Sequence, residues 1–192
     1  MPRLAWVMAF SREKPIGYPE ISFLSFDVLA LLARIQTEMG LDAVGPLTFS
    51  LQTMQTLACI RLEQGKSGGD IFLHSLFNRP DVPQPVIEHV LRHELLHLKI
   101  PSREIDGRLV HHPPEFWEAE QALVPWKAAS WGWMVLAFWE VIKTDIPNEC
   151  TWVKESWRKL QKYPYPNWQI VLDNQERYSD KQGEIKGLME SL

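Results

Sequence analysis

Between Pro85 and Pro101 the chain carries a stretch of helical apolar spacing, and inside it stands His93-Glu94-Leu95-Leu96-His97. No other feature constrains the fold as strongly. Proline is tolerated in the first turn of a helix, where no amide donor is needed, so Pro85 can open the helix that runs from Val86 to Leu98. Pro101 stops it. An α-helix turns once in about 3.6 residues, so side chains at i and i+4 project from one face. His93 and His97 therefore share a face, and two imidazoles so placed can both reach one zinc ion at roughly 2.0–2.1 Å. Glu94 stands beside the first histidine. From there it can take a proton from a metal-activated water without binding the metal itself.

A catalytic zinc ion normally has three protein ligands and one open position, so a third ligand must come from elsewhere. His111-His112 follows a polar loop containing Asp106-Gly107 and directly precedes Pro113-Pro114, which opens the next helix at Glu115. Proline biases the residue before it towards extended backbone, which keeps His112 out of that helix and aimed at the metal. His112 is the expected third ligand, with His111 the first alternative and Glu115 the second. The expected site is thus one zinc ion (Zn2+) per chain on His93, His97 and His112, with Glu94 as general base.

Nearby polar residues have plainer readings. His89, one turn before His93, is expected behind the ligands or facing solvent. His74 ends a strand and is expected to cap a turn or lie at the surface, with substrate contact as the alternative. Glu88, Arg92, Glu104 and Asp106 read as solvated charges, with one of the acids available to orient a ligating imidazole.

The surrounding pattern is mixed. Phe23 to Met39 has helical spacing and ends at Gly40. Leu47 to Leu51, Ala58 to Leu62 and Ile71 to His74 read as strands, with a turn at Gly65 to Asp70. The fold class is α+β. Five of the nine tryptophans lie between Trp117 and Trp139. Ala128 to Trp139 has no charged residue, but a membrane-spanning helix needs about 20 apolar residues, so no span is expected. A helix over Trp126 to Ile142 is apolar nearly all round, which suits burial against the rest of the chain better than a partner surface or interfacial membrane contact. Residues 1–125 read as the catalytic domain and 126–192 as a helical, Trp-rich extension packed on it as one cooperative unit. A further helix is predicted over Thr151 to Lys162, and a polar, loosely ordered tail after Asp173.

Composition removes other classes. The chain has 192 residues, 45% hydrophobic, which is enough for a core of its own. Its net charge is −4 and its pI near 5.9, so no nucleic-acid partner is expected. Cys59 and Cys150 form no metal knuckle and suggest no disulfide framework; they fit a reducing, cytoplasmic setting, with a single bridge between them as the alternative. The apolar run Leu4 to Phe10 is followed by Ser11-Arg12-Glu13-Lys14-Pro15 rather than a small-residue cleavage site, and reads as a mature N-terminus.

The combination of Ile71-Phe72-Leu73-His74, Val86 to Leu98 with its pentad, and His112-Pro113-Pro114-Glu115-Phe116-Trp117 resembles the SprT/Spartan and YgjP-like zinc metallopeptidases. The likeness covers about residues 45 to 120. It implies a small zincin-like fold: a helix, a short twisted sheet and the metal helix below it. It also implies that His93, His97 and His112 are the ligands and Glu94 the catalytic acid/base, while Phe116 and Trp117 pack the following helix against the core. The chain departs from the Spartan pattern at Pro113, where that group has glycine, and it has neither a four-cysteine ribbon nor a basic DNA-binding tail.

These readings favour a zinc endopeptidase that hydrolyses peptide bonds. A polypeptide substrate would be bound as an added strand along Ile71–His74 at a sheet edge. A zinc hydrolase acting on another amide or ester uses the same chemistry. The alternative from a different class is a non-catalytic zinc module that binds a protein partner. Glu94 argues against it, because a structural zinc site has no use for a general base and is usually closed by four protein ligands.

Overall fold

The computed structural model describes residues 22–62, 67–145 and 150–178. The apolar run at Leu4 to Phe10, the start of the turn at Gly65, and the tail beyond Tyr178 lie outside the described residues.

Helix α1 spans Val28–Glu38, starting later than its apolar spacing suggests because Asp27 caps it. The Asp27 carboxylate accepts from the N–H groups of Leu29 and Ala30, each at 3.0 Å. Val28, Leu31, Leu32 and Ile35 form its buried stripe.

Three strands follow: β1 Leu47–Gln52, β2 Ala58–Leu62 and β3 Gly69–His74. The sheet order is β1-β3-β2, with β3 parallel to β1 and antiparallel to β2. This corrects the expectation that Ile71–His74 lies at a sheet edge. Both edges of that segment are paired, so no substrate strand can add there. The reason lies in its apolar run: Ile71, Phe72, Leu73 and His74 are all buried, without the alternation of a strand with one wet face.

The edge nearest the pentad belongs to β2. His74 N–H donates to Leu57 O at 2.8 Å, which makes Leu57 and His74 a hydrogen-bonded pair. Such pairs alternate along an antiparallel ladder, so Cys59 and Arg61 also bond to β3. Ala58, Ile60 and Leu62 then turn their backbone groups to the opposite edge.

Helix α2 spans Gln84–Lys99 and is buried on nearly every side from Val86 to Leu96. It packs against α1 and β2. Beyond it, β4 Arg103–Ile105 and β5 Arg108–Val110 form an antiparallel hairpin where the sequence reads as a polar loop. Asp106 and Gly107 have φ of 51° and 75°. Two positive φ values are what a two-residue hairpin turn of the Asp-Gly type requires.

Helix α3 spans Pro114–Leu123 and α4 spans Lys127–Phe138; both pack against α2. The helix expected to reach Ile142 ends at Phe138. Ile142–Asp145 forms strand β6, paired with β7 at Cys150–Val153. The predicted helix over Thr151 to Lys162 is therefore strand at its start, where Thr151, Trp152 and Val153 favour a pleated surface. Only Glu155–Lys162 is helical, as 3-10 turns. A last short helix, α5, spans Trp168–Asp173, and a 3-10 turn at Gln175–Arg177 lies in the region expected to be loosely ordered.

One hydrophobic core runs through the molecule and includes Ile35, Ile71, Leu91, Phe116, Trp133, Phe138 and Val171. Burial of each large apolar side chain contributes on the order of 1.5–3 kcal/mol. Trp133 and Phe138 are fully buried. Trp133 Nε1 donates to Pro166 O at 2.8 Å, and Trp126 Nε1 donates to Pro85 O at 2.9 Å, tying α4 to the start of α2. A Cβ at Gly132 would lie 2.5 Å from the Tyr178 ring, so only glycine admits that close contact. No helix among the described residues is long and apolar enough to cross a membrane.

Candidate metal centre

Helix periodicity places His93 and His97 on one face of α2, with ring centroids 5.1 Å apart. His112 comes from the segment between β5 and α3, and its ring lies 4.9 Å from each of the other two. One nitrogen of each histidine lies within 4.8 Å of the others, close enough for the three to bind a metal ion. The Nε2 atoms of His93 and His112 are 3.1 Å apart. A tetrahedral ion with bonds of about 2.0–2.1 Å separates its ligand atoms by about 3.3 Å. The donor set therefore fits a shared ion.

The neighbouring histidine does not join them. His111 Nδ1 lies 3.1 Å from Ser102 Oγ, on the strand side of the segment. Glu115, the other alternative ligand, pairs with Arg103 at 2.6 Å. Phe116 forms the apolar floor of the cluster, its ring 4.7 Å from His97, 4.8 Å from His112 and 5.0 Å from His93. Trp117 lies 4.8 Å from the His112 ring.

Burial and neighbouring imidazoles set the charge state. Burial, and after it the proximity of His93, pushes His97 down to about 2 and His112 down to about 3. Both are neutral at pH 7, each with a lone pair for a metal. In His93, burial also disfavours the charged form, but the hydrogen bond and charge of Glu120 outweigh it and raise the pKa. Glu94 is buried, and its pKa is raised, chiefly because burial penalises the carboxylate. It accepts a hydrogen bond from the backbone of Ile60. That N–H is one of those β2 turns away from β3, so Glu94 sits against the strand's outer edge.

Several polar residues differ from their sequence readings. Glu88 and Arg92 are not solvated: each is 8% exposed, and Arg92 Nη2 donates to Glu88 Oε1 at 2.8 Å. Glu104 and Asp106 are exposed, as expected. His74 is fully buried rather than at the surface, yet it caps as anticipated, its Nδ1 accepting from Leu76 N–H at 2.9 Å. His89 lies behind the ligands, 3.3 Å from Glu120 Oε1. None of the acids considered for orienting a ligand reaches one. Glu120 does, with Oε1 2.7 Å from His93 Nδ1. The signal that could have found it is its position one turn after Phe116, on the face of α3 turned to the cluster.

No protein-family model matches this chain, and no curated protein matches it. The chemistry at this site rests on its own geometry. Imidazole donors suit zinc, copper, iron and nickel among the common metals. A carboxylate held next to such a donor set adds a base.

Proposed function

We propose that the protein is a zinc-dependent metallopeptidase with a zincin-like fold, related to the SprT/Spartan and YgjP-like enzymes. The observation that carries this reading is the pairing of two things: three convergent imidazoles, and Glu94 buried beside them and held from the β2 edge by the Ile60 backbone. A structural metal site would have no use for that carboxylate. His93, His97 and His112 would hold the ion. When bound, zinc supplies Lewis acidity, which brings the pKa of water near 7 and polarises a carbonyl.

The remaining steps belong to the chain's own residues. Glu94 takes a proton from the attacking water and passes it to the leaving amine. Its burial makes it a stronger base than an exposed glutamate. The Ile60 backbone fixes the carboxylate's position. Phe116 supplies a dry floor beneath the ligands. An extended polypeptide substrate would pair with the outer edge of β2, where Ala58 and Leu62 present backbone donors and acceptors.

The test is cleavage of an unbiased peptide library by wild type and Glu94→Gln. Glutamine keeps the shape but not the basicity, so the variant should retain one zinc per chain and lose roughly 10²–10⁴ in rate. Undiminished cleavage by Glu94→Gln would eliminate the mechanism. A zinc-loaded wild type that cleaves no peptide in the library would point instead to the partner-binding module.

A further inference from the structure

A feature behind His93 extends the site into α3 and α4. Glu120 is only 1% exposed. An ionised carboxylate buried that deeply is costly unless its oxygens are well satisfied. Here Oε1 is shared between two imidazoles of α2, 2.7 Å from His93 Nδ1 and 3.3 Å from His89 Nε2. Oε2 pairs with the ammonium of Lys127. Lys127 is the first residue of α4 and lies 4.7 Å above the Trp117 ring. His89 is itself 2% exposed, with the Trp131 ring of α4 edge-on at 6.0 Å.

The direction of these contacts matters. A carboxylate at Nδ1 places the imidazole proton there and leaves the lone pair on Nε2. The Nε2 of His93 is the atom 3.1 Å from His112 Nε2, inside the cluster. A Glu120–Lys127 pair serving packing alone would have no reason to meet a ligand ring at its outward nitrogen.

We infer that Glu120 is a positioning residue for the metal centre: it holds His93 in the Nδ1–H form, while Lys127 and His89 stop the carboxylate from turning away. Through Lys127, the Trp-rich helix α4 governs a site that none of its residues ligates. The inference rests on the metal-centre reading but not on the peptidase reading, because metal binding alone tests it.

Cobalt(II) is the probe. Its affinity for the full-length protein is measured by chelator competition, and its geometry by visible absorption, for wild type, Glu120→Ala, Glu120→Gln and Lys127→Met. Loss of an outer partner of a ligating histidine typically costs about 10- to 100-fold in metal affinity. Glu120→Ala should show that loss and an altered visible band. Glu120→Gln keeps an acceptor in place and should recover part of the affinity. Lys127→Met should weaken cobalt binding less than Glu120→Ala. A purely structural Glu120 would change the melting temperature of the metal-free protein and leave the cobalt band unaltered. If Glu120→Ala does not fold, the isosteric Gln variant decides: wild-type affinity with a wild-type band overturns the inference. Failure of wild type to take up cobalt would overturn the metal centre and the inference together.

Discussion

The two sides of α2 bury polar groups in opposite ways. On the side facing α1, Arg92 bridges Glu88 and Glu38, and Arg34 joins both acids, with Nη2 at 2.9 Å from Glu88 and Nη1 at 2.8 Å from Glu38. Opposite charges meet there and satisfy one another. On the side facing α3, three imidazoles converge, and burial together with their mutual proximity drives His97 and His112 neutral. Like groups meet there, with the Nε2 atoms of His93 and His112 3.1 Å apart. The first arrangement is complete without a ligand. In the second, three nitrogens lie close enough together to bind a metal ion. Burial alone therefore does not distinguish the two sides; the convergence of like groups does.

The largest test of this contrast removes a ligand on one side and an ion-pair partner on the other. His97→Ala should abolish binding of zinc, read by elemental analysis after dialysis, and leave the fold in place by circular dichroism. His112→Ala should weaken zinc binding far more than His111→Ala, since His111 is turned to Ser102. The reverse order would mean the wrong neighbour is the ligand.

Arg92→Met should do the opposite. Arg34 still pairs with both acids, so the variant loses the charged hydrogen bonds of Arg92 rather than leaving a bare charge, at a cost of about 1.5–3 kcal/mol in denaturant unfolding. Zinc stoichiometry should stay at one per chain. A variant that loses metal without losing stability would erase the distinction between the two sides.

His74 supplies a buried imidazole outside both clusters. Burial chiefly, with a smaller contribution from Arg158, pushes it down to about 4, against a partial opposing effect of the Met54 backbone. The unfolded chain, with a histidine pKa near 6.5, binds more protons than the folded one between these values. This contribution to stability is therefore fully present above about pH 6.5 and is lost as pH falls towards 4, to an extent on the order of 3 kcal/mol. His74→Asn keeps an acceptor for the Leu76 N–H. Unfolding of the metal-free protein between pH 7 and 5 should show a shallower loss of stability in this variant than in wild type. Equal slopes would show that the His74 environment does not exclude the proton.

The smallest effect belongs to the exposed pair of Arg103 and Glu115, whose side chains are 53% and 42% exposed. Arg103→Ala should change the unfolding free energy by less than about 1 kcal/mol. A larger change would mean that the β4–β5 hairpin is held on α3 more tightly than exposed charges allow.

Residues 86–98 were legible because their relations are local. The i and i+4 geometry of an α-helix puts His93 and His97 on one face whatever surrounds them, and Glu94 beside them follows from the same rotation. The three strands were also readable from short apolar runs, since strand formation leaves a pattern along the chain. Tertiary structure decided everything that depended on distant partners. It chose His112 over His111, because the chain entering Pro113 presents one to α2 and the other to Ser102. It put β3 in the centre of the sheet and left the outer edge to β2. It buried Glu88 and Arg92, whose charges look solvated until α1 folds against them. It also brought Glu120 to His93 and Lys127 to Glu120. Helical rotation fixes neighbours within one turn, whereas a buried carboxylate takes its partners from whichever elements the core packs beside it.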